Sequence, residues 1–490
     1  MSYTARNVAS ATIRLHKPHC DIPEEFSGGN LTEDVSELLM ELQGLVNRKV
    51  EGVDDGKTTF EGPTFCFVFE FLKKALLSPN ITPEEIPFGI ELISMHAQLK
   101  GRSVDGSDLE DYNHPKYLPT LEMMKLLVDL IQRYPGRIQT QAVAAFLDVA
   151  VSLSGHEFRA VASNAEIEFL MEILQSSSDV IRDIGVRGML AIVNVLPALG
   201  DDYELAILII RRIWVAKFDV CDEIKELAIE LWDEGCFEVP IVLADELMKD
   251  IVHYEVCIQK AAACGLVAIL KEDPSIIKSV LDQLLEIYQE KLILIPAVVD
   301  QFDREIMPAI DAWSPRRGVA VAISQVSLFF DLETVQSVMQ FMVSTGLRDR
   351  EEIVHKEMLA ASLSIVDIHG KECVSTLLPV FETFLDKAPN DSSFDNIRQA
   401  VVILMGSLAR HLDKDDKKIQ PIVQRLITAL STPSQQVQEA VANCIPHLIP
   451  SVKDQAPQIV KKLMNLLVKS DKYGERRGAA YGKFNLLYSC

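Results

Sequence analysis

The amino-acid sequence predicts an all-α fold, an armadillo-like right-handed α-solenoid built from HEAT-type repeats. The first supporting observation is a short pattern that recurs near the C-terminal end, at 395–402 (DNIRQAVV), 432–445 (TPSQQVQEAVANCI) and 473–480 (YGERRGAA). Aligning Ile397, Val437 and Arg476 gives steps of 40 and 39 residues. A fixed period of this length, made of paired helices, is typical of HEAT arrays.

The second observation is a matched pair of amphipathic helices inside one repeat. Apolar residues recur in each helix at i, i+3, i+4, i+7, i+8 and i+11, which is the spacing of one helix face. They are Ile419, Ile422, Val423, Leu426, Ile427 and Leu430, and then Val437, Ala440, Val441, Cys444, Ile445 and Leu448. Between the helices we expect a capping box with Thr432 as N-cap, Pro433 as the first helical residue and Gln435 as the third. Neither helix can bury its apolar face alone, so each repeat needs its neighbours.

The chain divides into an irregular N-terminal helical segment and loop, residues 1–60, and a repeat array over 61–482. Residues 65–71 could pass for a strand on propensity, but the apolar positions of 65–76 fit one helix face and predict a buried helix. A second helix is predicted over about 83–98. The long step of 58 residues before the copy at 316–320 predicts an insertion or an extended first helix between about 277 and 313. Earlier copies of the second-helix pattern lie at 181–185 (IRDIG), 224–228 (IKELA) and 258–262 (IQKAA).

Composition and charge exclude several classes of function. The formal net charge of −23 disfavours free nucleic acid, DNA included, as a general ligand, because an acidic chain repels phosphate. The first 20 residues lack the apolar core of a signal peptide, and no apolar run reaches the roughly 18 residues of a membrane span. The nine cysteines are scattered without a CxxC pair, which together with the missing export signal indicates reduced thiols in the cytosol or nucleus. We expect a cytoplasmic protein with no membrane contact.

No motif in the sequence indicates an enzyme. Residues 52–58 (GVDDGKT) are one residue short of a phosphate-binding loop, follow a helix instead of a strand, and carry two aspartates that would repel phosphate. Residues 152–156 (SLSGH) lack the glycines of a nucleophile elbow. The histidines and cysteines show no metal-ligand spacing. We therefore expect no catalytic residue, no metal and no cofactor.

Basic residues are the candidates for contact with a partner. Two Arg-Arg pairs occupy matching places in their repeats, lysines crowd the last repeat, and a further cluster surrounds Trp214. One interpretation is structural: each arginine pairs with an acidic residue of the adjacent repeat, and Trp214 belongs to the core. The other is a surface for ribosomal RNA or an acidic partner helix. We favour the first interpretation. The candidate contact residues are Arg211, Arg212, Lys217, Arg316, Arg317, Lys461, Lys462, Lys469, Lys472, Arg476 and Arg477.

Several stretches of the sequence are similar to one family of very large HEAT-repeat proteins. They are 209–219 (IIRRIWVAKFD), 286–292 (EIYQEKL), 313–322 (WSPRRGVAVA), 378–382 (LPVFE), 388–391 (APND), 402–414 (VILMGSLARHLDK), 429–439 (ALSTPSQQVQE) and 470–482 (SDKYGERRGAAYG). These stretches resemble the general control non-derepressible protein 1 family of translational activators, in an animal version. The resemblance covers most of the chain, weakly before about residue 60 and densely after residue 370.

The resemblance implies a scaffold in translational control. Members of this family bind ribosomes, partner an ATP-binding cassette protein, and help to activate the kinase of initiation factor 2 alpha in the integrated stress response, when amino acids run short or ribosomes collide. The chain resembles a middle segment of such a protein. The family's kinase-binding region lies C-terminal to that segment, so kinase activation would need the further region. Residues 483–490 (KFNLLYSC) depart from the family pattern, which predicts a divergent tail from a truncated isoform or an incomplete gene model.

A second function stays open beside the ribosome scaffold. A generic HEAT-repeat adaptor, such as a nuclear transport receptor or a phosphatase scaffold, is also consistent with a net charge of −23 and the extended concave surface of a solenoid. The two hypotheses differ in the partner they predict. The first predicts ribosomes or polysomes, and the second predicts a basic cargo or a phosphatase subunit.

Overall fold

The computed structural model forms two compact units, which divide between residues 240 and 241. It describes residues 62–79, 81–98, 115–154, 161–197, 200, 202–302, 304–387, 394–413, 416–451 and 453–487. The segment predicted to be irregular (1–60), the loop at 52–58 and the last three residues of the predicted tail lie outside the described residues. Described segments of both units are almost entirely helical, which confirms the all-α HEAT-type prediction.

The first unit is a stack of helical hairpins. Within it α3 packs on α4, α5 on α6 and α7 on α8, and the second helices stack in the order α4, α6 and α8. The predicted helix over 65–76 is confirmed, because its apolar positions are buried at helical spacing despite their strand propensity. The helices are α1 Gly62–Leu76, α2 Ile86–Ala97, α3 Thr120–Arg133, α4 Arg137–Leu153, α5 Asn164–Ile173, α6 Asp179–Ala191, α7 Tyr203–Ala216 and α8 Asp222–Glu234.

The second unit is also a stack of helical hairpins. The helices α10, α12, α14, α15, α17 and α19 stack in that order, and α9, α11, α13, α16 and α18 pack against them. One helix, α14, is 36 residues long and includes Pro379. The helices are α9 Leu243–Ile251, α10 Val256–Glu272, α11 Ile277–Lys291, α12 Trp313–Val326, α13 Leu332–Ser344, α14 Glu352–Lys387, α15 Asp395–Ala409, α16 Ile419–Ala429, α17 Gln435–Leu448, α18 Ala456–Lys469 and α19 Tyr473–Leu487.

The long step of 58 residues corresponds to an insertion between α11 and α12. It contains two short antiparallel strands, β1 Val298–Val299 and β2 Glu305–Met307, with Val298 opposite Met307. An isolated bridge joins Ile295 to Ile310 closer to the helices. Of the two possibilities that the sequence left open, the insertion is therefore confirmed, and α11 is not extended. We call residues 292–312 the inserted hairpin.

The capping box predicted at Thr432 is wrong. Helix α17 begins two residues later than predicted, and its N-cap is Ser434, whose hydroxyl accepts a hydrogen bond from the N–H of Val437 at 3.5 Å. The turn before the helix is fixed by contacts that sequence spacing does not reveal. The Gln438 amide donates to the carbonyl of Thr432, and an arginine of the next repeat donates to the carbonyl of Pro433 at 2.7 Å.

Candidate functional site

Arg316 lies at the centre of an ion-pair network that joins successive repeats. It stands in the first turn of α12 and is fully buried. Its Nε and Nη2 donate to the two carboxylate oxygens of Asp349, at 2.7 and 2.8 Å, and Nη1 donates to Asp311 and to the carbonyl of Lys291. Burial alone would raise the pKa of Asp349, but hydrogen bonds from Arg316 and Tyr288 outweigh burial and hold that pKa below its usual range. Arg316 therefore holds repeats together and has no surface left for a partner.

The first unit contains the same ion-pair geometry. Arg182 of α6 donates through Nε and Nη2 to both oxygens of Asp219, at 2.7 and 2.9 Å, and the two side chains are 3% and 4% exposed. Asp219 and Asp349 each stand three residues before a helix, and each accepts the backbone N–H of the second residue after it. Neither aspartate was predicted, although the shared D-x-x-[DE] spacing at a helix start is visible in the sequence.

Glutamine residues fix the other arginines of the Arg-Arg pairs. Arg317 Nε donates to Gln259 Oε1 at 3.0 Å, and Arg477 Nε donates to Gln438 Oε1 at 2.9 Å. Each glutamine amide also donates, at 2.8 Å, to a main-chain carbonyl at the start of the helix that carries its arginine. Arg317 is buried and Arg477 is half-buried. We call each of these arginine–glutamine contacts a clasp. The two clasps are copies of one contact between successive second helices, and they favour the structural interpretation of these arginines.

A glycine follows each clasp because the two backbones approach closely there. A Cβ placed on Gly318 would lie 1.8 Å from the carbonyl oxygen of Ile251, and a Cβ on Gly478 would lie 1.8 Å from that of Leu430. Real Cβ atoms do not come so near a carbonyl oxygen, and neither neighbour is a flexible side chain. The small residue in the repeat pattern is thus required by helix-to-turn packing.

We expect Gly478→Ala to destabilise the last repeat by about 1–3 kcal/mol, because the added methyl forces α19 away from the turn before α17. Hydrogen exchange of peptides from α17 and α19, followed by mass spectrometry, measures the change. Gly474→Ala in the same helix is the matched control, since its Cβ would meet Pro433 Cα at an ordinary 3.5 Å. Equal protection in the two variants would contradict the packing argument.

The cluster around Trp214 is largely part of the core. Trp214 and Trp232 are buried with ring centroids 5.0 Å apart, Arg211 is buried and Arg212 is half-buried. Lys217 Nζ lies 4.8 Å from the Trp214 centroid and 4.3 Å from the Trp232 centroid. Burial lowers the pKa of Lys217, and the two ring faces favour its charged form. This arrangement places the cation between two indoles and leaves little basic surface.

The lysines of the last repeat, by contrast, remain on the surface. Lys461, Lys462, Lys469 and Lys472 are exposed, and so is Arg476. Three of the lysines belong to one stripe of α18, whose opposite face buries Ile459 and Leu463. We call Lys461, Lys462, Lys469 and Lys472 the lysine face. Its residues are the sequence-predicted candidates that the structure brings together in an accessible place.

An open cleft of about 590 Å³ runs beside the lysine face. Hydrogen bonds from Ser470 and Lys472 hold the pKa of its single carboxylate, Glu475, below the usual range, so that group is ionised at neutral pH. Three lysines against one carboxylate leave a local excess of positive charge on an otherwise acidic chain. The lining residues are Gln458, Lys461, Lys462, Asn465, Leu466, Lys469, Ser470 and Glu475.

In the part of the chain that the structure describes, no three His, Cys, Asp or Glu side chains come together as a metal site would require. None of the described helices is both long and apolar enough to cross a membrane.

Comparison with known proteins places the repeats in a family. Residues 200–410 match the family model described as "Stalled ribosome sensor GCN1, HEAT repeats". The chain is 38% identical over 486 residues to the human "Stalled ribosome sensor GCN1", covering 98% of this chain and 18% of that protein. It is 26% identical over 506 residues to the Saccharomyces cerevisiae "eIF-2-alpha kinase activator GCN1", covering 96% of this chain and 17% of that protein.

The chain thus spans less than a fifth of the length of these curated relatives. Among solved structures, a Kap95p–RanGDP complex gives a TM-score of 0.41 at 12% identity, covering 100% of this chain and 62% of that one. From the match of its central repeats and its similarity along nearly the whole sequence, the chain belongs to the GCN1 family of HEAT-repeat proteins.

Proposed function

We propose that this chain is a non-enzymatic scaffold in translational control that docks on the ribosome in the cytoplasm. The observation that carries the proposal is the lysine face, an accessible basic surface on a chain of net charge −23. The names of two relatives support the ribosome and translational control as the setting, because the human protein is named a stalled ribosome sensor and the yeast protein an eIF-2-alpha kinase activator. The candidate Arg476 borders the lysine face, since its Nη1 donates to the carbonyl of Ser470, whereas Arg316 and Arg317 are buried in α12 and bind residues of neighbouring repeats.

The chemistry of the lysine face suits phosphate. Each ammonium group is a mobile point charge with three donors, so it can follow a phosphate backbone without reading bases. Neutralising phosphates releases counterions, and each contact adds about 0.7–0.9 to the slope of log affinity against log salt. The rest of the acidic chain repels RNA, which limits the approach to this face. We infer contact with ribosomal RNA at a single patch, and not along the whole chain.

The proposal includes the kinase and the ATP-binding cassette protein only as indirect partners of this chain. In it, the chain contributes ribosome docking, and activation of the initiation factor 2 alpha kinase in the integrated stress response needs the further C-terminal region that the resemblance implies. The ATP-binding cassette protein would bind the assembled scaffold. No basic residue singled out above is assigned to either partner.

We expect the chain to co-sediment with purified eukaryotic ribosomes at low salt and to dissociate as salt rises. The triple variant Lys461→Gln, Lys462→Gln, Lys469→Gln should bind about tenfold or more weakly, with a salt slope smaller by about 2–3. The control replaces Lys260, Lys271 and Lys371, which are also exposed in the second unit, with glutamine. It removes the same net charge from other surfaces.

The outcomes separate the hypotheses. Equal loss of binding in the two triple variants would mean that net charge, and not the lysine face, governs docking. Absence of ribosome binding at every salt concentration would overturn the proposal. If the chain then bound a basic cargo or a phosphatase subunit, the adaptor hypothesis would replace it.

A further inference from the structure

The inserted hairpin is the most apolar exposed segment of the described chain. Eight of the twenty-four large apolar residues that are exposed in the described residues lie within its 293–310 stretch. They include Phe302, which is 66% exposed, and Ile306, which is 64% exposed. The others are Ile293, Leu294, Ile295, Val298, Met307 and Ile310. Single exposed apolar residues are normal on a surface, but a contiguous group of this size marks an interaction site.

Strand β2 is exposed on both faces, and no third described strand pairs with either edge of the small ribbon. Successive residues of a strand point to opposite faces, and all three residues of β2 are exposed. The cross-strand pair of Val298 and Met307 is apolar and exposed on both sides, and the pair of Ile295 and Ile310 repeats this. A two-stranded ribbon is marginal by itself, so its stability has to come from its base or from a partner.

The base of the hairpin is clamped to the repeats by the Arg316 network. Asp311 accepts hydrogen bonds from Arg316 and from Arg350, whose Nε lies 2.9 Å from Asp311 Oδ2. Arg350 also donates to the carbonyl of Leu292 at 2.9 Å, so one guanidinium ties both ends of the insertion. Hydrogen bonds from Arg316 and Arg350 hold the pKa of Asp311 far below its usual range, and the clamp stays charged at neutral pH. The repeats thus present the apolar ribbon in a fixed position.

The negative charge of the inserted hairpin favours some chemical classes of partner over others. Residues 292–312 contain four acidic side chains and one basic one, giving a formal charge of −3. The single cation, Arg304, is already bound to Asp300 at 2.9 Å. An acidic apolar surface repels RNA phosphate and anionic lipid, and it matches a protein surface where an apolar cleft is rimmed by lysine or arginine.

We propose that the inserted hairpin docks into an apolar cleft rimmed by basic side chains on a protein of the ribosome. This inference rests on the proposed function, because the ribosome is where it places the partner. Phe302 and Ile306 enter the cleft as anchors, and the free strand edges can add main-chain hydrogen bonds. The lysine face then binds RNA while the hairpin binds protein, so one acidic chain recognises a mixed surface.

Site-specific photocrosslinking to purified eukaryotic ribosomes tests this. The full chain carries p-benzoylphenylalanine in place of Phe302, and we expect crosslinks to ribosomal protein and not to ribosomal RNA. The double variant Phe302→Ser, Ile306→Ser should bind ribosomes about tenfold more weakly by co-sedimentation. Leu328→Ser with Leu332→Ser is the matched control, at 58% and 57% exposure, and should bind normally. All of these side chains are exposed, and thermal unfolding checks that each variant folds.

A third variant tests the clamp. Arg350→Ala leaves every apolar side chain in place but removes the guanidinium that ties Asp311 to the carbonyl of Leu292, while Arg316 still holds Asp311. We expect this variant to weaken ribosome binding several-fold. Crosslinks to RNA alone, or unchanged binding of the hairpin variant while the native chain co-sediments, would overturn the inference and leave the proposed function standing. If the native chain fails to co-sediment, both fall. Flotation of the chain with phosphatidylcholine vesicles, lost in the double variant, would instead assign the hairpin to a membrane.

Discussion

Replacing Arg316 with alanine is expected to destabilise the repeats around α12 by about 3–5 kcal/mol. The loss is large because Asp349 is buried, and without the guanidinium its charge and its lone pairs lose their main partner. Arg316→Lys should recover only part of the loss, since one ammonium cannot reproduce a two-oxygen contact together with those to Asp311 and the Lys291 carbonyl. Hydrogen exchange of α12 and α14 peptides gives the local free energy of opening.

The matched control for Arg316 is Arg350, which binds the same Asp311 but is 42% exposed at its side chain. Arg350→Ala should cost no more than about 1 kcal/mol, as exposed ion pairs do. The pKa of Asp349 is lowered in the folded state. Its contribution is therefore present above its unfolded pKa of about 4 and is lost as pH falls through the folded value. A cost of Arg316→Ala that is as small as that of Arg350→Ala would contradict the network.

Replacing Arg182 with methionine should destabilise the first unit by a similar amount, about 3–5 kcal/mol. The variant leaves Asp219 buried without its guanidinium partner. Adding Asp219→Ala should then recover part of the loss, because removal of the second charge ends the penalty of an uncompensated carboxylate. Urea unfolding followed by hydrogen exchange of α6 and α8 peptides provides the four free energies of a double-mutant cycle.

Arg187 provides the comparison within the same helix. It pairs with Asp183 at 2.9 Å, four residues earlier, and its side chain is 43% exposed. Arg187→Met should cost about 0.3–0.5 kcal/mol. Additive costs of Arg182→Met and Asp219→Ala, with no recovery in the double variant, would mean that the two residues do not act as a pair.

The features that could be predicted from the sequence depend on the spacing of apolar residues within a helix and on the distance between repeats. Helix spacing revealed the buried helix at 65–76 despite its strand propensity, and the irregular step of 58 residues located the insertion before α12. It could not give the ribbon inside the insertion, since the strands are only two and three residues long. The N-cap of α17 was predicted at the wrong residue for a related reason. Contacts from Gln438 of the same repeat and from Arg477 of the next repeat, not the local Thr-Pro pattern, fix that turn.

The candidate site could be predicted only as a set of basic residues. The first arginines of the two Arg-Arg pairs share a local sequence but have different environments. Arg476 is exposed, whereas the burial of Arg316 depends on Asp349, 33 residues further along. Its neighbour Arg317 depends on Gln259, 58 residues earlier. Such partners come from adjacent repeats, and spacing within one repeat carries no information about them. The exposed stripe of α18, in contrast, follows directly from helical periodicity.

Lysine-reactivity footprinting with purified ribosomes tests most directly whether the lysine face is the ribosome contact. The chain is acetylated at low salt with and without ribosomes, and mass spectrometry reports the reactivity of each lysine. We expect Lys461, Lys462 and Lys469 to be protected by ribosomes, while Lys260, Lys271 and Lys371 keep their reactivity. Protection of the second group, with the first group unchanged, would contradict the assignment of ribosome docking to the lysine face.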